Sequence, residues 1–561
     1  MQAVTIVFFG LAGMAFGWFV YSKFIAEKIF QLDPDFVTPA HELKDGVDFL
    51  PTNRYVLWGH HFTSVAGAAP IVGPAIAVYW GWVPAVLWVT LGTVFFAGVH
   101  DFGAIWASAR NKGKSMGALS EDVIGKRTRA LFMIVIFLLL LMVNAVFGVV
   151  ISGLFVNTST AVFPAWSAIV VALIIGQLIH RNYNLTILSI CGVAALYASI
   201  YIGSQLPIVL PEQMFGLTAN GSWIVILFLY AAIASMLPVW VLLQPRDFIN
   251  GLQLFVGLFL LYGAVLLSLP DITAPAFNNM LSGDSPSLVP LLFVTIACGA
   301  VSGFHGIVSS GTTSKQLDKE PDSRFVGYLG AVGEGTLALV TIIAVTGVGL
   351  AATPEIWHEI YDQYGIAGAG EFVQGGAQII QNGWGVPIGI STTLLATMVI
   401  LFAATTMDTG VRLQRYIIQE WGQIYNIPLF NNNMLATIIA VGSCLLLAFG
   451  AGGASGSGGL TIWPLFGSTN QILAGLTLLV ISVMLIKAGR PARYTLIPMV
   501  FVLITSAWAA LIKLAEWFQE GNWLLVTIDI IVLITSVLVT LEAISVIAKY
   551  RRESSSENLS P

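Results

Sequence analysis

The 561-residue chain is 57% hydrophobic and only 9% charged, with a mean hydropathy of +0.85. Soluble domains carry about 25% charged residues, so a water-facing surface around this chain is excluded and its main solvent is lipid. The net charge of −5 points to no nucleic-acid partner, and Cys191, Cys298 and Cys444 all fall in apolar runs, which reads as three small core residues without a disulfide or metal motif.

A helix needs about 20 apolar residues to cross a bilayer. Fifteen runs meet this requirement: 3–23, 56–80, 82–107, 130–154, 163–180, 184–203, 222–243, 249–269, 287–310, 326–351, 387–408, 434–450, 462–486, 494–514 and 524–548. The first lacks the basic flank and small-residue cleavage site of a signal peptide, so it is expected to be retained. The runs are continuous rather than alternating, which excludes a β-barrel. The fold class expected is an all-α polytopic membrane protein of about 15 transmembrane helices, forming one domain over 1–561.

Numbering the loops alternately sends every Lys and Arg except Lys513 to one side, from Lys23 through Arg552. Cytoplasmic loops collect these residues, so the N-terminus is expected outside and the C-terminus inside. The cytoplasmic loops are then 24–55, 108–129 and 409–433, the last with an amphipathic stretch, Arg412–Trp421, along the interface. The extracytoplasmic loop 352–386 has no cation, and the Ser-rich tail 553–561 is expected to be disordered.

The second run opens GHHFTSVAGAAPIVGP (59–74). His60, Thr63, Ser64 and Gly67 share a face, His61 lies beside them, and Gly67, Pro70, Gly73 and Pro74 loosen the middle. Broken helices persist at membrane depth only where they line a cavity or are buried in protein, and their free carbonyls and ends bind ions and anionic groups. The ninth run, ACGAVSGFHGIVSSGTTSK (297–315), is similar: Cys298, Ser302, His305 and Ser309 share a face among Gly299, Gly303, Gly306 and Gly311. Broken helices are expected near 56–80 and 287–314. They run in opposite directions in two halves of the chain, as in an inverted-repeat transporter.

Ionisable residues at membrane depth mark function by default. They are His60, His61, His100, Asp101, His305, Glu334, Asp408 and Asp529. Glu334 shares a face with Gly327, Gly330 and Ala338, which lets another helix approach, and it is the expected proton carrier. Asp101 reads either as an ion-coupling residue or as a partner of Arg110 or a helix end. Thr405, Thr406 and Asp408 close the eleventh run and suit Na⁺ at a helix break, unless Asp408 is tethered to Arg412. Asp529 is expected to be solvated or paired with Lys513. Asn470 and Gln471, in WPLFGSTNQ, are substrate-binding or interhelical amides.

PTNRYVLWGHHFTSVAGAAPIVGP (51–74), LPVWVLLQPRDF (237–248), ACGAVSGFHGIVSSGTTSK (297–315), TTMDTGVRLQRYIIQE (405–420) and WPLFGSTNQILAG (463–475) together resemble the carbon-starvation protein A family of bacterial inner-membrane transporters. That resemblance implies a distant relative of leucine-transporter-type carriers, with two extra helices between the broken spans. It also implies uptake of peptides or pyruvate, proton coupling, and in some members a very small cytoplasmic partner protein. Thr405 and Thr406 then stand where sodium-coupled carriers of that type hold a hydroxyl pair. The family pattern has Gln where His100 stands.

The function expected is a secondary active transporter importing a small carboxylate, with no cofactor beyond H⁺ or Na⁺. Substrate would meet His60, His61, Thr63, Ser64, Gly67, Ser302, His305, Ser309, Asn470 and Gln471. Glu334, Asp101, Thr405, Thr406 and Asp408 would couple the ion. The alternatives are a sodium-coupled carrier, a nutrient sensor, and an intramembrane metalloenzyme using His60, His61, His100 and Asp101. Adjacent histidines are a poor chelating spacing on a helix.

Overall fold

The computed structural model describes residues 2–46, 48–181, 183–214, 216–238, 241–281, 285–365, 368–451, 453 and 459–557. In chain order, the helices that position the site are α1 (Ala3–Phe30), the bent pair α2 (Arg54–Val65) and α3 (Ala69–Trp80), α4 (Trp82–Arg110), α5 (Met116–Val123), α6 (Lys126–Asn157), α7 (Ser159–His180) and α8 (Thr186–Gly203). Then follow α9 (Ala219–Met236), α10 (Leu243–Ser268), α11 (Leu288–Thr295), α12 (Gly303–Gly311), α13 (Arg324–Thr346), α14 (Pro354–Ile360) and α15 (Ala369–Trp384). The chain closes with α16 (Ile388–Ile424), α17 (Asn433–Gly450), α18 (Thr461–Lys487), α19 (Arg493–Glu520) and α20 (Trp523–Glu557).

Among the described residues, 13 helices are long and apolar enough to cross a membrane. The two remaining runs expected from the sequence are the interrupted ones. α2 and α3 meet at a 50° bend. Pro70 lies in the first turn of α3, where its missing N–H is harmless, so the chain opens at 66–68 just before it. In the second interruption α11 ends at Thr295 and α12 starts at Gly303. Gly299 there has φ +90°, a left-handed backbone closed to most side chains.

The two interrupted helices lie side by side and antiparallel. α2 packs beside α12, and α3 beside α11. Gly73 makes the second contact possible, because a Cβ there would strike the Thr295 carbonyl. Backbone freed by the second break is satisfied from the flanks, which is what allows it at membrane depth. Trp463 Nε1 donates to the Thr295 carbonyl at 3.2 Å, Trp88 Nε1 to Ile296 at 3.1 Å, and Thr93 Oγ1 to Gly299 at 3.0 Å. The Phe304 N–H donates to Asn470 Oδ1 at 2.9 Å.

α18, α6 and α13 are the most enclosed spans, while α1, α7 and α8 lie at the periphery. Cys191 on α8 is therefore exposed rather than a core residue. The loop 352–386 folds into α14 and α15. From the segment after α14, the Tyr361 hydroxyl donates to the Ala75 carbonyl at 2.9 Å, and the Tyr364 hydroxyl lies 2.6 Å from Thr295 Oγ1. One segment thus ties both broken helices at the cation-free end.

Two loop expectations change. α16 runs unbroken for 37 residues, about 55 Å at 1.5 Å per residue. No proline interrupts it, so 409–424 continues a spanning helix instead of lying along the interface. At the other end, 553–557 belongs to α20, while 558–561 lies outside the described residues.

Candidate functional site

The break between α11 and α12 carries a chain of buried ionisable groups. His305, in the first turn of α12, has both ring nitrogens facing carboxylates. Its Nδ1 lies 2.8 Å from Asp101 Oδ2 on α4, and its Nε2 lies 3.3 Å from Glu334 Oε1 on α13. Asp101 is also held by His100, Nδ1 to Oδ1 at 2.7 Å. All four side chains are buried. Asp101 thus partners His100 and His305, not Arg110. Arg110 is nine residues further on, about 13 Å along the helix, and it pairs with Glu320.

A neutral imidazole offers one donor and one acceptor, and an imidazolium offers two donors. At 3.3 Å His305 Nε2 and Glu334 Oε1 are within ion-pair distance, and neither atom has a hydrogen-bond partner among the described residues, while Asp101 holds the far side of the ring. The Cys298 thiol joins this group: its sulfur, a His305 ring nitrogen and a Glu334 oxygen lie within 4.8 Å of one another.

Beside the group, a cavity of about 10 Å³, room for one water, lies between the two breaks. It is bounded by Gly67, Cys298, Phe304 and Thr406 with Phe147 and Phe466. Thr406 Oγ1 is buried without a hydrogen-bond partner among the described residues and faces Gly67.

The other expected substrate residues are placed differently. Thr63 and Ser64 return their hydroxyls to the Gly59 and His60 carbonyls of their own helix, at 2.9 and 2.8 Å. His61 Nδ1 lies 2.9 Å from Thr313 Oγ1, and His60 Nδ1 lies 3.7 Å from Asp247 Oδ2 on α10. Asn470 caps α12 and donates to Ser302 Oγ at 3.0 Å, while Gln471 donates to the Phe293 carbonyl at 2.6 Å. Both amides hold the second broken helix together. Ser309 Oγ is buried and has no partner among the described residues.

The ion-coupling expectations also shift. No helix break occurs at Thr405–Asp408. Thr405 Oγ1 accepts from Asn250 Nδ2 at 2.9 Å, and Asp408 forms a buried ion pair with Arg246, joined by the Tyr230 hydroxyl at 2.7 Å. Arg412 does not tether Asp408. It donates to the Ala234 and Leu237 carbonyls at the end of α9, at 3.0 and 2.6 Å. Among the described residues, neither oxygen of the buried Asp529 has a partner, while Lys513 is held by Glu516 at 2.5 Å.

His60, His61, His100 and Asp101 do not form one ligand set, since His60 and His61 turn to Asp247 and Thr313 while His100 and Asp101 bond each other. The metalloenzyme arrangement is therefore not formed. Sequence reading passed over Arg246, Asp247 and Asn250, although a charged Arg–Asp pair at the head of an apolar run was a visible signal.

The profile described as carbon starvation protein CstA matches residues 2–360 and 345–509. The chain belongs to this family. It is 32% identical to the peptide transporter CstA of Campylobacter jejuni, covering 93% of this chain and 82% of that one. It is 31% identical to the pyruvate/proton symporter BtsT of Escherichia coli, covering 88% and 79%. It is 30% identical to the peptide transporter CstA of Bacillus subtilis, covering 91% and 90%. Among solved structures, a mutant of the Eremococcus coleocola manganese transporter covers 91% of this chain and 99% of its own at 12% identity and a TM-score of 0.48. MhsT in complex with L-phenylalanine covers 88% and 99% at 13% identity, also with a TM-score of 0.48.

Proposed function

We propose that this family member is a secondary active transporter of the bacterial inner membrane that imports a small carboxylate, pyruvate or a short peptide, by proton symport. The observation that carries the coupling is His305, held between Asp101 and Glu334 at the break of the second interrupted helix. Supporting the transport reading, the relatives are named as peptide transporters and a pyruvate/proton symporter. The N-terminus is outside and the C-terminus cytoplasmic. The basic end agrees with this: Lys487 binds the Val123 carbonyl at 2.7 Å there, and Arg490 binds the Phe30 carbonyl.

Substrate enters the space between the breaks, next to Gly67 and Cys298, with its carboxylate toward amides near Gly67 at the start of α3. Uptake of the proton by the His305–Glu334 pair and its release alternate with opening at the two ends. Sodium is disfavoured as the coupling ion because Asp408 is already neutralised by Arg246 and Thr405 is engaged by Asn250.

Uptake of labelled pyruvate and dipeptides into proteoliposomes tests this reading. Accumulation is expected under an inward proton gradient and not under a sodium gradient alone. Accumulation that follows sodium, or none of either substrate, overturns it.

A further inference from the structure

α10 and α16 pack together along two polar stripes. On α10 the stripe is Arg246, Asn250, Gln253 and Gly257, at spacings of four, three and four, which keep one helical face. On α16 it is Asp408, Thr405, Leu401 and Met398, with Thr397 one turn from Leu401. Arg246 meets Asp408, and Asn250 Nδ2 meets Thr405 Oγ1 at 2.9 Å and the Leu401 carbonyl at 3.4 Å. A Cβ on Gly257 would lie 2.5 Å from Met398 Sδ. These pairings place Gln253 on the same face, between the Asn250 and Gly257 contacts.

A seam of interhelical glue would leave its polar atoms paired. Among the described residues, the buried atoms without a partner include Arg246 Nε and Nη2, Asn250 Oδ1, both amide atoms of Gln253, Thr397 Oγ1, Thr406 Oγ1 and Asp408 Oδ1. Each such group costs free energy comparable to a lost hydrogen bond, and here several of them gather on the two paired helices. Space accompanies them. A cavity of about 20 Å³ touches Tyr230, Arg246, Leu401 and Ala404, enough for one water.

The seam meets the vestibule and the break within a turn of Asp408. On one side, Asp247 opens onto a vestibule of about 300 Å³ that also meets His60, His180, Pro245 and Gln316. Asp247 Oδ1 is buried without a partner among the described residues. On the other, Thr406 next to Thr405 reaches Gly67 and the small cavity beside Cys298, while Gln253 and Thr397 lie further along the two helices. The titratable and charged groups along the way are His60, His180 and Asp247 at the mouth, then Arg246, Asp408 and Tyr230.

We propose that the α10–α16 seam is a hydrated proton conduit between the vestibule and the break between the paired helices. Water bound by the orphaned groups forms a hydrogen-bonded file. A proton joins one end as another leaves the far end, so only O–H bonds form and break. Asp247 is the group that exchanges protons with the vestibule. The purpose of the conduit rests on the proton-symport reading; its existence does not.

Silver-ion accessibility separates the two. In protein with Cys191, Cys298 and Cys444 replaced by serine, single cysteines are placed by Asn250→Cys and by Thr406→Cys, with Leu261→Cys as an apolar buried control on α10. Proteoliposomes are exposed to Ag⁺, quenched, denatured and labelled with a fluorescent maleimide. Ag⁺ is expected to abolish labelling at positions 250 and 406 and to spare position 261. Labelling at 250 and 406 that survives Ag⁺ as well as at 261 overturns the conduit, whatever the protein transports. A second variant, Asn250→Leu with Gln253→Leu, is expected to slow proton-driven uptake while substrate counterflow persists. Equal loss of both overturns the conduit's role in coupling. If the single-cysteine variants show the silver pattern but the wild-type protein shows no proton-driven uptake, the symport reading falls and the wet seam stands.

Discussion

His305 Nε2 and Glu334 Oε1 lie 3.3 Å apart, buried between the second broken helix and α13. The contact joins a side chain in the first turn after the break to one on an unbroken span, which is the arrangement the proposed proton coupling needs. Glu334→Gln keeps the shape and removes the titrating oxygen. Proton-driven accumulation should fall to the level seen without a gradient, while exchange of internal for external substrate continues. Normal accumulation by this variant sinks the proton-carrier assignment.

Asp408 is buried against Arg246. Removing one member of a buried pair strands the other charge, at about 3–5 kcal/mol, whereas replacing both by apolar residues is often close to neutral. Arg246→Met should lower the unfolding temperature in detergent, and Arg246→Met with Asp408→Leu should recover most of the loss. A double variant less stable than the single one contradicts the pairing.

Tyr361 and Tyr364 tie the ends of the two broken helices with one hydrogen bond each. Each bond is worth about 0.5–1.5 kcal/mol. Tyr361→Phe with Tyr364→Phe should shift the population toward states open at the cation-free end. The native Cys298 beside the central cavity then reacts faster with an impermeant thiol reagent applied from outside. An unchanged rate means that the strap does not hold that end closed.

Asn470 accepts the Phe304 N–H and donates to Ser302. Asn470→Ala leaves a buried backbone donor unpaired, a loss of about 1–3 kcal/mol, and Asn470→Asp retains the acceptor at Phe304. The alanine variant should unfold at clearly lower temperature and the aspartate variant at an intermediate one. If the alanine variant melts like the wild type but loses substrate affinity, Asn470 contacts substrate instead of capping α12.

Much of the architecture was legible in the residues because lipid leaves a chain few options. Runs of about 20 apolar residues must become helices, and the helix series follows the expected runs. The two interruptions were legible for the same reason, since Pro70 and the glycines around 299 cannot sustain a continuous ladder at those points. Glu334 was legible as a carboxylate among small residues. The strap tyrosines were not, because they lie in a polar loop whose pattern names no partner. Arg246 and Asp247 were passed over because both precede the apolar run 249–269.

The order of residues along the chain determined where helices run, where they break, and which costly side chains enter the membrane. Tertiary packing alone decided who neutralises whom. Asp101 lies nine residues from Arg110 and 204 from His305, yet the imidazole is its partner. Asp408 has Arg412 one turn away on its own helix, but Arg246, from another, is the guanidinium it meets. Helical spacing lists the neighbours within one helix, whereas the partner of a buried charge comes from whichever other helix packs against that face.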